Sequence, residues 1–186
     1  VMAVGAAGVG PAAWGVETRA GSDGRVAGAI LLSPGSCPRW PDWAPVDGDR
    51  VLTPRQAYPP KVLPEHLNVI GSGVTGVEFV HMFRSFGSKV TLIVSRQQVL
   101  PGKDPEVAAA LEDDFLRSGV VLLKGARAQS LTRDGDEVAV ACEDGRVVKG
   151  THVLLAIGSL PNSPCTALAH ACVTVHANGS VTVHSH

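Results

Sequence analysis

The sequence lacks the charge excess and the long apolar runs that would point to nucleic acid or to a membrane. It carries 16 Lys and Arg against 17 Asp and Glu among 186 residues, for a formal net charge of −1. A basic surface for nucleic acid is therefore not expected. No apolar run approaches the roughly 18 residues of a membrane-spanning helix, and no basic segment precedes the apolar start at residues 1–10, as it would in a signal peptide. We expect a cytoplasmic protein without a membrane span.

The chain is also poor in the patterns that bind metals, form redox pairs or hydrolyse substrates. Its four cysteines are scattered and form no C-x-x-C, so ordinary free thiols are expected: Cys37, Cys142, Cys165 and Cys172. His184 and His186 stand close together at the tail, where a solvated end is expected, and no metal site is predicted. Neither G-x-S-x-G nor a Ser/His/Asp arrangement appears, so hydrolysis has no support.

The informative feature of the sequence is a glycine-rich turn between a strand and a helix. A short buried strand is predicted by Leu67, Val69 and Ile70, and Gly71, Gly73 and Gly76 follow it as G-x-G-x-x-G. A helical pattern of apolar residues comes next, at Val74, Val77, Val80, Phe83 and Phe86.

Each glycine of this turn has a distinct physical role. Gly71 permits the tight turn, Gly73 lets a pyrophosphate approach the backbone, and Gly76 allows the helix to pack closely on the strand. The diphosphate would lie on free N–H groups at the positive end of the helix dipole. Gly87 predicts the helix end, and a second strand over 90–94 completes the context that the motif requires. We therefore interpret the turn as a dinucleotide site rather than as a plain packing turn.

Gly5, Gly8 and Gly10 form another glycine cluster, which we reject as a flavin fingerprint. Their spacing is G-x-x-G-x-G, Pro11 follows at once, and no helical pattern comes after them.

The residues between this cluster and the fingerprint predict mostly irregular structure. A hairpin is predicted around Asp23-Gly24, and residues 29–35 predict a buried strand that ends in a turn. The stretch 37–64 is rich in Pro, Trp and Asp and is predicted to be an irregular connector. Two alternatives are open for Trp40 and Trp43, which either line a site or anchor this connector to a core.

Beyond the second strand, another helix is predicted to start at Asp104, a favourable N-cap, and to stop before Gly119. Its apolar positions are Val107, Leu111, Phe115 and Leu116. Four further elements follow: a strand over 120–123, an antiparallel meander over 129–149 with turns at Asp134-Gly135 and Asp144-Gly145, a buried strand over 152–157, and a hairpin at Asn178-Gly179.

This order of elements, together with two motifs, resembles the NAD(P)-binding domain of the flavoprotein disulfide reductases. The motifs are GSGVTGVE at 71–78 and LLAIGSLPN at 154–162. The group includes dihydrolipoamide dehydrogenase and glutathione reductase, and the sequence looks most like the actinobacterial branch of dihydrolipoamide-dehydrogenase-like NAD(P)H:quinone reductases. The resemblance implies an α/β fold, a Rossmann-like doubly wound parallel sheet with an antiparallel β-meander, plus an incomplete β-rich piece of a flavin domain.

The resemblance also implies a division of the chain. Residues 1–64 would be a partial FAD-domain segment and connector, 65–162 the NAD(P)-binding domain, and 163–186 a return segment toward the FAD domain. In this family NAD(P)H passes hydride to FAD, and the electrons go on to a small-molecule acceptor such as a quinone or a disulfide.

The resemblance implies site residues one by one. Glu78 would lie near the nicotinamide as the candidate catalytic residue, Ala128 would contact adenine, Gly158 would close the nucleotide side, and Gly35 would belong to the FAD side. The remaining cofactor-binding candidates are Gly71, Ser72, Gly73, Val74, Thr75, Gly76, Val94, Ser95 and Arg96.

The sequence departs from the family pattern in ways that bear on activity. Four features of the family do not appear: the N-terminal FAD fingerprint, the C-x-x-x-x-C redox pair, the second flavin motif and the C-terminal dimer domain. Residues 29–35 resemble the short A-T-G segment that closes the flavin domain, but Pro34 replaces its Thr. We expect the middle of a longer enzyme, inactive in isolation and a homodimer only at full length. The alternative is a non-catalytic dinucleotide-binding module or a truncated, inactive gene product.

The end of the second strand bears on the choice between NAD and NADP. A carboxylate that grips the ribose of NAD is expected there, but residues 91–96 contain no acid, and Val94 stands where NAD-using relatives carry Glu. Arg96 is able to fork onto a phosphate, and Ser95 to add a hydrogen bond. NADP is therefore preferred over NAD as the cofactor. The alternative for Arg96 is that it is a solvated loop residue without a role in binding.

A short-chain dehydrogenase that works without flavin is set aside. That chemistry requires Tyr-x-x-x-Lys on a helix after the fingerprint, whereas the only tyrosine, Tyr58, precedes it and has Lys61 at the wrong spacing.

Overall fold

The computed structural model describes residues 33–163 and 173–182, together with the backbone of three strands before them. Cys165, Cys172, His184 and His186 lie outside the described residues. The chain divides into two compact units, one formed by residues 38–158 and the other by residues 1–37 and 159–186.

A parallel sheet of five strands forms the centre of the larger unit. Its spatial order is β5-β12-β6-β7-β8, and each neighbouring pair is parallel. The strands are β5 (Val51–Leu52), β6 (His66–Ile70), β7 (Lys89–Val94), β8 (Val121–Lys124) and β12 (His152–Leu155). From β6 the chain builds outward through β7 to β8 and then returns to the other side of β6 as β12. The strand order therefore reverses between β6 and β12, the position where doubly wound sheets bind ligands.

Two helices cover one face of this sheet. They are α2 (Val74–Ser85), between β6 and β7, and α3 (Pro105–Arg117), between β7 and β8. Alternate strand residues point to this face, and Leu67, Leu92 and Leu154 share one core cluster with the buried side chains of the helices. With 12 and 13 residues, these longest helices of the described chain are too short to span a bilayer.

The apolar faces of both helices are narrower than the sequence pattern predicts. In α2, Val77, Val80 and Phe83 are buried as predicted, but Val74 and Phe86 are 55% and 48% exposed. Val74 is the first helical residue and Phe86 is the C-cap, so both lie where the helix no longer faces the sheet. In α3, Phe115 is buried with Ala108 and Glu112, whereas Val107 and Leu116 are exposed. Val107 and Leu116 are each one residue away from this buried face, or about 100° around the helix.

The helix ends follow the local signals closely. Asp104 caps α3 by accepting a hydrogen bond from the Glu106 N–H at 2.8 Å. Gly87 follows α2 with φ +98°, and the Ser88 N–H donates to the Phe83 carbonyl at 3.0 Å. This is the left-handed turn that glycine predicts at a helix end.

The predicted meander covers the opposite face of the sheet. It consists of β9 (Ala128–Asp134), β10 (Glu137–Cys142) and β11 (Val147–Gly150), antiparallel in the order β11-β10-β9. Its turns contain Gly135 and Gly145 at φ +57° and +86°, as the two Asp-Gly pairs predict. Val138, Val140 and Cys142 pack in a second core cluster with Ile93 and Leu155 of the sheet. The predicted α/β class, a parallel sheet with an antiparallel meander, is confirmed.

The predicted irregular connector contains two regular elements. One is β5, the edge strand of the parallel sheet, and the other is α1 (Pro54–Ala57). Thr53 and Gln56 form a capping box at the start of α1. The prediction missed β5 because two apolar residues are too few to show a period.

The smaller unit is built from short strands. Three form an antiparallel sheet, β1 (Met2–Ala6), β2 (Trp14–Thr18) and β3 (Gly21–Ala27), and two more pair separately, β4 (Ser36–Pro38) and β13 (Ser159–Pro161). Asn162 links residues of this unit by donating from its side chain to the Pro34 carbonyl at 2.9 Å. A turn follows at 177–179 between the bridged Val175 and Val181, where a hairpin is predicted at Asn178-Gly179.

Two local predictions in this unit need correction or fall outside the described residues. The hairpin of β2 and β3 exists, but its turn is not at Asp23-Gly24, because Thr18 already pairs with Gly21. The register shifts between Val16 and Thr18, so Asp23-Gly24 form part of a bulge inside β3. Most of the strand predicted over 29–35 lies outside the described residues, and 33–35 are exposed and not in a strand.

Candidate dinucleotide-binding site

A cavity of about 520 Å³ lies at the carboxyl ends of the central parallel strands. Residues that end or follow β6, β7, β8 and β12 form most of its wall. They are Ile70 and Gly71, Ile93 and Ser95, Ala126 to Gln129, and Ile157. Three residues implied by the family resemblance, Gly71, Ser95 and Ala128, therefore meet at one cavity.

The three fingerprint glycines occupy three different environments. Gly71 has φ +111°, and a Cβ added to it would overlap the Ala156 carbonyl oxygen. A Cβ added to Gly76 would overlap the Gly71 carbonyl oxygen, so only glycine allows this approach of helix and turn. At Gly73, by contrast, an added Cβ would meet nothing within 4 Å. The backbone is thus tightly packed at Gly71 and Gly76 and open at Gly73, the arrangement that a pyrophosphate cradle requires.

The start of α2 presents unsatisfied donors next to Gly73. The Val77 N–H donates to the Gly73 carbonyl at 3.1 Å, so the N–H groups of Val74, Thr75 and Gly76 have no intrahelical acceptor. Val74 and Thr75 are exposed at this end of the helix. The positive end of the helix dipole adds a favourable field for an anion.

Ser72 and Glu78 lie differently although both belong to the fingerprint. Ser72 is buried, and its carbonyl accepts a hydrogen bond from the Leu100 N–H at 2.7 Å. Glu78 lies one turn further along α2 and is exposed. Their roles toward a cofactor stay predictions.

The end of β7 separates the candidate residues by strand alternation. Ile93 and Ser95 line the cavity, whereas Val94 is fully buried in the core cluster on the helix side of the sheet. Arg96 is exposed and is not among the residues that line the cavity.

The β7–α3 loop, residues 95–104, is attached to its surroundings by a buried carboxylate. One oxygen of Glu112 accepts from the Val99 N–H at 2.9 Å, and the other pairs with the Lys124 ammonium at 2.7 Å. Together with the bond from Leu100 to Ser72, these contacts hold the loop against both α3 and the glycine turn.

Three charged residues that the sequence did not predict also line the cavity: Arg39, Arg127 and Glu143. The Arg127 Nε lies 3.7 Å from a Glu143 carboxylate oxygen. Trp43 packs against the core beneath the meander, as the anchoring alternative predicts, and also lines the cavity, so its role toward a ligand stays a prediction. Trp40 is 52% exposed and lines no described cavity. The pairing of β9 with β10 brings Glu143 and Arg127 together, and the turn signals that predict the meander do not indicate this contact.

Two glycines implied by the resemblance lie apart from this wall. Gly158 is exposed with φ +107°, and its carbonyl accepts from the Arg39 N–H at 2.9 Å. Gly35, with φ +70°, belongs to the smaller unit, where its carbonyl accepts from the Asn162 N–H at 3.0 Å.

Comparison with known proteins places residues 14–186 in the family described as pyridine nucleotide-disulphide oxidoreductase. A curated relative, NAD(P)H dehydrogenase (quinone) from Mycobacterium tuberculosis, is 43% identical over 157 residues, which are 84% of this chain and 32% of the relative. Dihydrolipoyl dehydrogenase from Zymomonas mobilis is 36% identical over 120 residues, 62% of this chain and 26% of that protein. The chain thus spans about a third of the length of these relatives or less.

Solved structures agree with this assignment. The crystal structure of LpdA from Mycobacterium tuberculosis superposes with a TM-score of 0.86 at 39% identity, covering 98% of this chain and 40% of that chain. The HOCl-induced flavoprotein disulfide reductase RclA from Escherichia coli gives a TM-score of 0.77 at 25% identity, covering 93% and 39%.

Proposed function

Because this chain belongs to the pyridine nucleotide-disulphide oxidoreductase family, we propose that it is the NAD(P)H-binding part of an FAD-dependent oxidoreductase. The observation that carries the proposal is the cavity at the reversal of strand order, with the open backbone of Gly73 beside it. A dinucleotide fits this arrangement, because its diphosphate would lie on the N–H groups at the start of α2.

The chain's own residues would bind and orient the coenzyme. Its adenosine would extend from the glycine turn toward Ser95 and Ala128, at the ends of β7 and β8. The nicotinamide would extend the other way, toward Glu78 and Gly158. In this proposal the larger unit, residues 38–158, forms the coenzyme domain, because β5 and the cavity residue Trp43 belong to it, and residues 1–37 and 159–186 belong to the flavin side.

FAD would supply the redox chemistry that receives the hydride of NAD(P)H. Gly35, which the resemblance places on the FAD side, is an exposed glycine of the smaller unit. The chain spans about a third of the length of its curated relatives or less, so in this proposal the flavin-dependent step belongs to the full-length enzyme. For the final acceptor we propose a quinone, because the relative that is 43% identical is an NAD(P)H dehydrogenase (quinone). A disulfide acceptor is the alternative.

NADPH is the preferred coenzyme in this proposal. The end of β7 provides no carboxylate for the ribose hydroxyls, while Arg96 follows β7 and Arg127 lines the cavity. Guanidinium groups recognise phosphates through paired hydrogen bonds.

Titration of the purified 186-residue chain with NADPH and NADH tests the proposal. Saturable binding of NADPH, tighter than that of NADH, is the expected result. A chain that binds neither coenzyme would overturn the proposed function, and a preference for NADH would overturn only the choice of coenzyme.

A second measurement separates an enzyme from a binding module. We expect the chain alone, after incubation with FAD, to show no bound flavin absorbance and no NADPH oxidation with a quinone acceptor, because a flavoenzyme without its flavin site has lost the chemistry. Stoichiometric flavin absorbance with steady turnover would show that the chain is a complete catalyst.

A further inference from the structure

Two side chains of opposite charge lie at the same part of the cavity wall, and neither is on β7. Arg127 belongs to the connection between β8 and β9, and Glu143 follows β10. Their side chains are 62% and 59% exposed, and both line the cavity. The sequence rule for coenzyme choice considers only the end of the second strand, so it takes no account of this pair.

Backbone hydrogen bonds hold the pair close to the end of β7. The Ala126 N–H donates to the Val94 carbonyl at 3.0 Å, and the Gly125 N–H donates to the Arg96 carbonyl at 2.9 Å. The Glu143 N–H in turn donates to the Arg127 carbonyl at 2.9 Å. Arg127 and Glu143 are therefore carried by backbone bonded to the strand end where the adenosine ribose lies in doubly wound sheets.

The geometry of the pair leaves both side chains available to a ligand. At 3.7 Å, the contact between the Arg127 Nε and the Glu143 carboxylate is an ion pair longer than a hydrogen bond. The terminal nitrogens of Arg127 keep their fork of donors for a phosphate. The Glu143 carboxylate is able to accept a hydrogen bond from a ribose hydroxyl, but it would repel a phosphate in the same place.

Arg39, the other arginine on the cavity wall, is positioned differently. Its N–H donates to the Gly158 carbonyl, beyond the end of β12. In the sheet order, β12 and β7 lie on opposite sides of β6. Arg39 thus belongs to the other side of the cavity.

We propose that Arg127 and Glu143 set the coenzyme preference of this site with opposite signs. Arg127 binds the 2′-phosphate of NADPH, and Glu143 opposes that phosphate and favours the free 2′-hydroxyl of NADH. This inference rests on the proposed NAD(P)H site and adds to Arg96 two specificity-determining residues from outside β7.

The test measures dissociation constants of NADPH and NADH for the 186-residue chain and two variants. Arg127→Ala should weaken NADPH binding about tenfold and change NADH binding less than about twofold, since a charge-assisted phosphate contact is lost. Glu143→Gln should tighten NADPH binding about threefold and weaken NADH binding slightly, a smaller change because the carboxylate is exposed and screened. Arg127→Lys should restore part of the NADPH affinity.

The matched control is Arg117→Ala, which removes an arginine of α3 that pairs with Asp114 at 3.5 Å. The side chains of Arg117 and Asp114 are 75% and 60% exposed, similar to those of Arg127 and Glu143. Neither Arg117 nor Asp114 lines the proposed coenzyme cavity. This variant should leave both affinities unchanged. Raising the salt concentration should narrow the difference between wild type and Arg127→Ala for NADPH but not for NADH.

The inference fails if both variants move the ratio of the NADPH and NADH dissociation constants in the same direction, or if neither moves it. Equal weakening of both coenzymes by Arg127→Ala would assign that residue to adenine instead. Absence of coenzyme binding by the wild-type chain would instead refute the proposed function, so the two failures are distinguishable.

Discussion

At the amino end of the parallel sheet, charged side chains are paired with one another, whereas at the carboxyl end several face the cavity. Arg133 at the amino end binds Asp47 at 2.7 Å and Asp49 at 2.8 Å, and Arg50 binds Asp136 at 2.5 Å. These bonds join the loop before β5 to the turn between β9 and β10. The amino end thus uses its charges to join the meander to the sheet.

The carboxyl end is different in both charge and backbone packing. The Arg127 Nε lies 3.7 Å from a Glu143 carboxylate oxygen. Among residues 33–163 and 173–182, no hydrogen bond or ion pair to the guanidinium of Arg39 or Arg96 is found. The backbone at Gly73 is open. The charged side chains at the amino end are thus paired within the fold, and those at the carboxyl end are available to a ligand. Substitutions at the amino end should therefore lower stability, and substitutions at the carboxyl end should weaken coenzyme binding.

The largest effect is expected from Gly73→Asp at the carboxyl end. A carboxylate there meets the pyrophosphate sterically and electrostatically, so NADPH affinity should fall about a hundredfold or more. Stability should be maintained, because an added Cβ meets nothing within 4 Å and Asp is a favourable residue at the N-cap position that Gly73 occupies. Equilibrium binding and thermal unfolding measure the two quantities.

Gly73→Asn is the matched control, with the same size and capping ability but no charge. It should weaken NADPH binding less than Gly73→Asp does. Equal affinity of wild type and Gly73→Asp would show that this backbone does not face the phosphates.

Substitution of Glu112 tests whether a charged side chain that is paired within the fold contributes to stability, whichever end of the sheet it lies at. Its side chain is only 11% exposed and binds both Lys124 and the Val99 N–H. Glu112→Ala should lower the free energy of unfolding by about 2–3 kcal/mol, because a buried donor and a charge lose their partner. Urea denaturation measures the loss.

Two comparisons make the Glu112 result specific. Glu112→Gln retains an acceptor for Val99 and should cost less, while Asp113→Ala, which removes an exposed neighbour on α3, should stay within about 0.5 kcal/mol of wild type. A cost of Glu112→Ala as small as that of Asp113→Ala would contradict a structural role for the pair.

Asp47→Ala should show the complementary behaviour at the amino end. One Asp47 oxygen accepts from the N–H groups of Asp49, Arg50 and Val51 at 2.8 to 2.9 Å, and the other binds Arg133. Loss of this acceptor should cost about 1–2 kcal/mol of unfolding free energy, with the NADPH dissociation constant unchanged. A change in coenzyme affinity without a loss of stability would break the division between the two ends.

Local rules in the sequence were sufficient for the elements that local chemistry determines. Asp104 and Gly87 mark helix ends because capping requires only neighbouring backbone. The fingerprint glycines likewise identify the turn, since each answers a steric demand within a few residues of it. The Asp-Gly pairs illustrate the limit, because the same dipeptide makes turns in the meander and part of a bulge at Asp23-Gly24.

The cavity wall required information that no segment contains. The edge strand β5 is two residues long and is defined by its pairing with β12, about 100 residues later in the sequence. Arg127 and Glu143 meet because β9 pairs with β10 as far as Ala128 and Cys142, across a register shift that the Asp134-Gly135 turn does not determine. Strand alternation predicts that Val94 and Ser95 point to opposite faces of the sheet. It does not predict which of the two faces is covered by helices, so the orientation of Ser95 toward the cavity was not predictable from β7 alone.

The smallest effect is expected from the two histidines at the amino end, through pH. Burial, together with Lys89 for His66 and Arg50 for His152, holds the pKa of each imidazole below the ordinary histidine value of about 6.5. The Nε2 of His66 lies 2.9 Å from the Thr91 hydroxyl, and the Nδ1 of His152 lies 3.0 Å from the Thr151 hydroxyl. The unfolded chain therefore binds more protons than the folded chain just below pH 6.5.

Stability should accordingly be fully present above pH 6.5 and decline as the pH falls through the lowered pKa values. Asp47 does not interfere in this window: burial acts to raise its pKa, but backbone N–H donors and Arg133 outweigh it and hold the pKa below 3.8. Urea denaturation at pH 7.5 and pH 5 should show the decline in wild type and little of it in a His66→Gln, His152→Gln variant. If the two proteins lost the same stability over this range, the paired amino end would owe its acid sensitivity to groups other than these imidazoles.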